Sequence, residues 1–224
     1  MSTSLIDLLS PGGDAHEQGK FYGVVMGIVT NNQDSSNMAR VKVTFPWLSD
    51  DNESTWARLA TPMAGGGRGI YYLPEVNDEV LIAFEHGDVR FPYVLGGLWN
   101  GQDAPPANNS DGQNNIRVIH SRSGHLIRLD DTNGDEKIEI IDKTGSNSIT
   151  IKSSDNSMSL TCTGDMSLNC DGDMKLNCTG KMTINATAGM EITCDADIKI
   201  QAQATMDVEA TAPMTIKGAI VSIN

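Results

Sequence analysis

Basic residues are scarce in this 224-residue chain: 16 Lys and Arg stand against 29 Asp and Glu, a formal net charge of −13. A surface that neutralises phosphates needs the reverse balance, so nucleic-acid binding is disfavoured. Aromatics are few, with 3 Trp, 4 Tyr and 4 Phe, and no basic stripe interleaves them. No basic segment runs into a long apolar stretch, so neither a secretory leader nor a membrane-spanning helix is expected. The chain is expected to be assembled in the cytoplasm, or exported by something other than a leader. The 4 cysteines, Cys162, Cys170, Cys178 and Cys194, form no C-x-x-C pair. They are expected to be reduced, small apolar core side chains. The 4 histidines (His16, His86, His120, His125) are scattered, with no nucleophile motif beside them. "GGGRG" at 65–69 lacks the spacing and lysine of a phosphate-binding loop and reads as a barrel loop. No catalytic residue, cofactor site or metal site is therefore assigned.

What is present is β-pattern. After an arm at 1–20, residues 21–100 hold five strand-like runs: "FYGVVMGIVT", "ARVKVTFPWL", "TWARLATPMA", "DEVLIAFEHGD" and "FPYVLGGLW". Five short strands in this span suit a small Greek-key barrel of the OB type. Residues 101–115, "GQDAPPANNSDGQNN", read as a linker. Two or three strands are expected in a neck at 116–155: "IRVIHSRSG", "HLIRLDD" and "KIEIIDKTG". The Asn-Gly pair in "DTNGDE" suits a hairpin turn, and the spacing is not that of an EF-hand.

From residue 156 to the end a repeat takes over. Every even-numbered residue from Met158 to Ile220 is Met, Leu, Ile, Val, Cys, Ala or Gly. The odd-numbered ones from Ser159 to Ala219 are polar apart from Gly189, Pro213 and Ala219. That alternation means β-structure with one dry and one wet side. An eight-residue period lies on top. Large pairs recur at Met158/Leu160, Met166/Leu168, Met174/Leu176, Met182/Ile184, Met190/Ile192, Ile198/Ile200, Met206/Val208 and Met214/Ile216. Small pairs such as Cys170/Gly172, Ala186/Ala188 and Ala210/Ala212 lie between them. Bulky residues fill the middle of a face and small ones let the backbone close in at a corner, which describes a triangular β-prism. One octad cannot bury its own dry side, and ordering its backbone opposes folding. Either one chain coils on itself, three octads per coil, or three chains wind around one axis. Residues 156–219 make eight octads, fewer than three coils, so the pattern leans toward three chains. The large pairs above are then the expected trimer core. Soft-metal binding by the Met and Cys columns is the less favoured reading, because they stay in register with Leu, Ile and Ala. At the end, Ile220 keeps the inward parity while Val221 and Ile223 fall on the outward one. Either the register slips after Gly218, or an exposed apolar ring forms; Gly218, Ile220, Val221 and Ile223 are the expected docking residues for a tip partner.

The stretch from "ARVKVTFPWLSDDNESTWARLATPMAGGGRGIYYLPEVNDEVLIAFEHGD" to "PYVLGGLWNGQDAPP" resembles the OB domain of contractile-tail spike proteins, the phage baseplate assembly protein V group and VgrG-type spikes. "SRSGHLIRLDDTNGDEKIEIIDKTG" resembles their neck and "MTIKGAIVSIN" the end of such a spike. The resemblance implies an all-β homotrimer with a collar of OB barrels, a neck and an intertwined triangular β-helix. It also implies a baseplate hub protein as partner, a PAAR-type tip protein, and the target-cell envelope during injection. VgrG-type spikes carry a large hub-like N-terminal region, whereas about twenty residues precede the barrel here. Some phage spikes carry a lysozyme domain after the barrel, and residues 101–115 leave no room for one. The expectation is a non-enzymatic spike whose hub is a separate chain.

Two other classes fit parts of the pattern: an OB barrel that binds a ligand on a β stalk, and a single-chain β-solenoid enzyme acting on polysaccharide. The first lacks positive charge, since residues 1–100 hold six Lys/Arg and twelve Asp/Glu. The second needs side loops around a groove, and these octads have no insertions.

Overall fold

The computed structural model of the chain describes residues 20–47 and 49–223. The expected arm at 1–20 lies outside them except for Lys20, which bridges to Asp88.

A closed barrel comes first. Its strands are β1 (Val25–Asn31), β2 (Arg40–Phe45), β4 (Ala57–Leu59), β7 (Glu79–Phe84) and β8 (Pro92–Gly97). β3 (Ser49–Glu53) extends β2, and β5 (Ala64–Gly65) with β6 (Arg68–Gly69) forms a separate hairpin. The pairing runs β1-β7-β8-β4-β2, and β2 pairs back to β1, which closes the ring. All ring pairings are antiparallel except β4–β8, which is parallel with Arg58 opposite Tyr93 and Leu59 opposite Val94. One parallel pair within a five-strand antiparallel ring is OB topology, and the five expected runs are its five strands.

Alternation decides the interior. Val41, Val43 and Phe45 of β2 and Val80, Ile82 and Phe84 of β7 point inward, joined by Val29, Ala57 and Val94. Five strands enclose little space, which suits a β-branched core. Gly27 marks the tightest approach: a Cβ there would lie 3.2 Å from the Thr44 carbonyl oxygen and 3.3 Å from Ile82 Cγ1. Phe21, Phe45, Trp47 and Phe84 close one end with ring centroids 5.6–6.1 Å apart. The "GGGRG" stretch is the β5–β6 hairpin; Gly67 turns it at φ +67°.

Beyond the linker lies a five-stranded antiparallel meander in sequence order: β9 (Ile116–His120), β10 (Leu126–Asp130), β11 (Lys137–Ile141), β12 (Ser148–Lys152) and β13 (Ser157–Thr161). This corrects the expectation of two or three strands. β12 and β13 escape the sequence pattern because "SITIK" and "SMSLT" share the Ser/Thr alternation of the repeat. The sheet therefore runs on to Thr161, with Met158 opposite Ile151 and Leu160 opposite Ile149. The "DTNGDE" segment is the β10–β11 turn, with Gly134 at φ +81°.

The β11–β12 turn rests on Asp142. Its carboxylate accepts the backbone N–H of Asn147 at 3.0 Å and the Thr144 hydroxyl at 2.8 Å. These donors, the Asn147 N–H first, hold its pKa down to about 2 from an ordinary 3.8. The contribution is thus complete above pH 3.8 and fades as the pH falls toward about 2. Amide exchange at 142–147 is expected to accelerate across that window, and Asp142→Ala to remove the pH dependence.

A second compact unit spans Ser167–Asn224. Its backbone runs for six residues without a turn and then bends, at 171–172, 179–180, 187–188, 195–196, 203–204 and 211–212. The second small residue of each pair (Gly172, Gly180, Ala188, Ala196, Ala204, Ala212) sits in the bend. Among the described residues, no ladder joins one octad to another of the same chain.

Candidate assembly surfaces

Cross-strand register sorts the meander into two sides. Ile119, Ile127, Ile140, Ile149 and Leu160 form one row, and Leu129, Ile138, Ile151 and Met158 with Arg117 form the next. Most of these apolar side chains are exposed. The opposite side carries Arg128, Glu139, Asp130 and Lys137, which are the less exposed groups. Arg128 pairs with Glu139. Asp130 accepts from the Thr132 hydroxyl at 2.6 Å and is held below the usual carboxylate range, chiefly by that bond. Asp135 is paired with Lys137 and Lys152 at 3.0 and 3.1 Å. Arg128, Glu139, Asp130 and Lys137 thus each have a partner, while the dry side faces water across a shallow cleft of about 550 Å³. A sheet whose apolar rows are its open rows has the chemistry of an interface.

The repeat is built the same way, with two large apolar residues per extended run. None of the residues expected as core is buried by its own chain. The first of each pair, Met166, Met174, Met182, Met190, Ile198, Met206 and Met214, is 47–61% exposed. The second, Leu168, Leu176, Ile184, Ile192, Ile200, Val208 and Ile216, is 66–74% exposed. Met158 and Leu160, in β13 of the meander, are exposed as well. The expected core is one shared by three chains, and a single chain does not form it by itself. The physical reason is that no octad lies against another of the same chain, so each dry side meets water unless something outside the chain covers it. The backbone groups of these runs also have no ladder partner within the chain, so the runs are open edges. Met166 closes the first unit, and the pairs from Leu168 onward lie in the second. The cysteines follow the same pattern: Cys170, Cys178 and Cys194 are free and exposed in the single chain, and Cys162 is free and half-buried.

At the end, the bend at 219–220 keeps the eight-residue phase of the others. Ile220, Val221 and Ile223 are all exposed.

The fold is thus a closed OB barrel followed by β-structure whose apolar side is open in the single chain. Comparison with known proteins gives its relatives. Residues 25–99 match the family of the type VI secretion system/phage-baseplate injector OB domain. The chain is 31% identical over 114 residues to the type VI secretion system spike protein VgrG1a of Pseudomonas aeruginosa, covering 45% of this chain and 17% of that protein. It is 31% identical over 126 residues to VgrG5 of the same organism, covering 51% of this chain and 16% of the relative. For VgrG3 of Vibrio cholerae the figures are 35% over 74 residues, 31% of this chain and 7% of the relative. The chain thus spans about a sixth or less of these relatives. The chain carries an injector OB domain at residues 25–99 and is similar to VgrG-type spike proteins over that part of its length.

Proposed function

We propose that the chain is the central spike of a contractile tail or injection-system baseplate, a structural homotrimer without enzymatic activity. The supporting observation is the open apolar side: two large residues per run, recurring every eight residues, with no cover from the same chain. Three barrels form a collar on a baseplate hub. In three copies the repeat beyond the meander intertwines, with the fourteen large residues from Met166 to Ile216 turned to a common axis, while Met158 and Leu160 stay in β13 of the meander. Leu176, Ile184, Ile192, Ile200 and Val208, open in one chain, are covered there by the other two. The four cysteines become part of that core. The assembled spike, built in the cytoplasm as part of the particle, is driven into the target envelope. A single-chain solenoid is disfavoured by the missing ladders between octads.

The end of the chain is the docking platform for a PAAR-type tip protein. The in-phase bend at 219–220 leaves Val221 and Ile223 on the outward parity, an apolar ring in the trimer. The purified chain is expected to sediment at three times its 24.0 kDa mass; a one-chain mass at micromolar concentration rejects the trimer. Val221→Lys with Ile223→Lys should keep that mass and abolish capture of the tip protein. Undiminished capture places docking elsewhere.

A further inference from the structure

We propose that surface charges spaced eight residues apart fix the register between neighbouring chains of the repeat; the proposal rests on the trimer reading. The geometry follows from symmetry. In a three-chain prism each chain covers one face with a six-residue run, bends, and moves to the next face one strand spacing higher, about 4.8 Å. The run it then lies on is the preceding octad of its neighbour. Residue i of one chain therefore sits beside residue i+8 of the next, in a parallel ladder. In a single chain coiled on itself, three octads per coil, residue i would sit beside i+24 instead.

The outward residues choose between these. At a spacing of eight, Asp173/Lys181, Glu191/Lys199, Lys199/Asp207 and Glu209/Lys217 are opposite in sign, and Asp165/Asp173 is the one like pair. At twenty-four, Asp171/Asp195, Asp173/Asp197 and Lys175/Lys199 are like pairs and no opposite pair exists. Opposite charges side by side on a sheet stabilise and like charges destabilise. The charge pattern thus supports stacking on the neighbour and opposes self-coiling. At sixteen there are three opposite pairs and one like pair; in the three-chain prism these residues lie two layers apart on the same face, about 9.6 Å, attracted but not touching. Asn169, Asn177 and Asn185 also recur at eight, placing amides in the stacked column that parallel in-register sheets favour. Among the described residues of this unit, the ion pair within the chain is Lys175–Asp173 at 3.6 Å, both side chains exposed. Lys181, Lys199 and Lys217 are thus available to the neighbouring copy.

The test is covalent capture. Glu191→Cys with Lys199→Cys is made in the full chain with Cys162, Cys170, Cys178 and Cys194 changed to Ala. Parallel neighbours place Cα atoms about 4.8 Å apart, within disulfide range, whereas eight residues of one extended chain cover up to ~26 Å. Oxidation with diamide, which takes two electrons and two protons per disulfide, is expected to give a closed three-chain band on a non-reducing denaturing gel. Reduction should return one-chain bands. The control Glu191→Cys with Asp207→Cys should stay unlinked. A native three-chain particle that links at the sixteen spacing, or at neither, overturns the register while leaving the trimer standing. A one-chain native mass overturns both. The unmodified chain gives a second measurement: a carbodiimide should condense the Glu191 carboxylate with the Lys199 amine of another chain, the lost water converting the carbodiimide to a urea. Linked 191–199 and 209–217 peptides from a multi-chain band support the register. Their absence from a particle that does cross-link elsewhere along the repeat refutes it.

Discussion

Replacing Leu168 by Asp is expected to abolish the three-chain assembly. Leu168 is 71% exposed in the single chain and belongs to the large pair of its octad. In the trimer it meets its two symmetry copies at the axis. An Asp there would place three carboxylates at one level of a dry interior. Burial of a single uncompensated charge costs several kcal/mol even after relaxation, and like charges within a few ångströms add to that. The carboxyls would escape by taking up protons, which at neutral pH merely exchanges one penalty for another. Sedimentation should show the three-chain mass replaced by one-chain or aggregated material. Ile192→Asp, three runs of the same design further on, should act alike. Thr183→Asp, on the outward parity, should leave the mass unchanged. These variants carry the same new charge, so equal tolerance would contradict the assignment of sides. The unmodified assembly should also dissociate slowly in detergent, because three intertwined chains separate only after every octad ladder opens.

Ile82→Ala should weaken the barrel by about 2–5 kcal/mol and leave the repeat intact. Ile82 is fully buried in β7, opposite Val25 of β1, and it packs on the close approach at Gly27. A narrow five-strand barrel has little freedom to collapse around the lost atoms, which puts the cost toward the upper part of that range. The measurement separates cleanly, because the chain's 3 Trp residues, Trp47, Trp56 and Trp99, all lie at residues 20–99. Their fluorescence reports unfolding of the barrel, while native mass reports the repeat. A urea midpoint that does not move would mean that the barrel core tolerates a cavity its packing does not suggest. Loss of the three-chain mass would mean that the collar, rather than the repeat, holds the assembly.

Much of this chain is legible because alternation is a local signal. The five barrel runs can be marked from Val, Ile and Phe at every second position in segments such as "RVKVTF" and "EVLIAF". The eight-residue period can be read because large and small side chains mark it directly, and each bend falls at the small residue. The meander is only half legible. β12 and β13 alternate Ser and Thr with Ile, Met and Leu, as the octads do, so composition does not show where antiparallel pairing stops. β3, "SDDNE", carries no apolar residue and gives no strand signal at all. The assignment of Leu176, Ile184, Ile192, Ile200 and Val208 to a core is legible as a dry side, but a dry side does not say which chain covers it.

The division has a physical basis. Side-chain size and polarity along the chain determined which residues form strands, where the corners fall and which side of each run is dry, because those properties act between near neighbours. The tertiary structure decided what depends on hydrogen bonds between distant segments. It paired β4 with β8 in parallel to close the barrel, and it placed Met158 and Leu160 in the meander opposite Ile151 and Ile149. It also left the apolar rows of the meander and the repeat uncovered by their own chain. Backbone pairing over long separations is set by the register that buries the most apolar surface at the least chain entropy, a choice no local pattern contains.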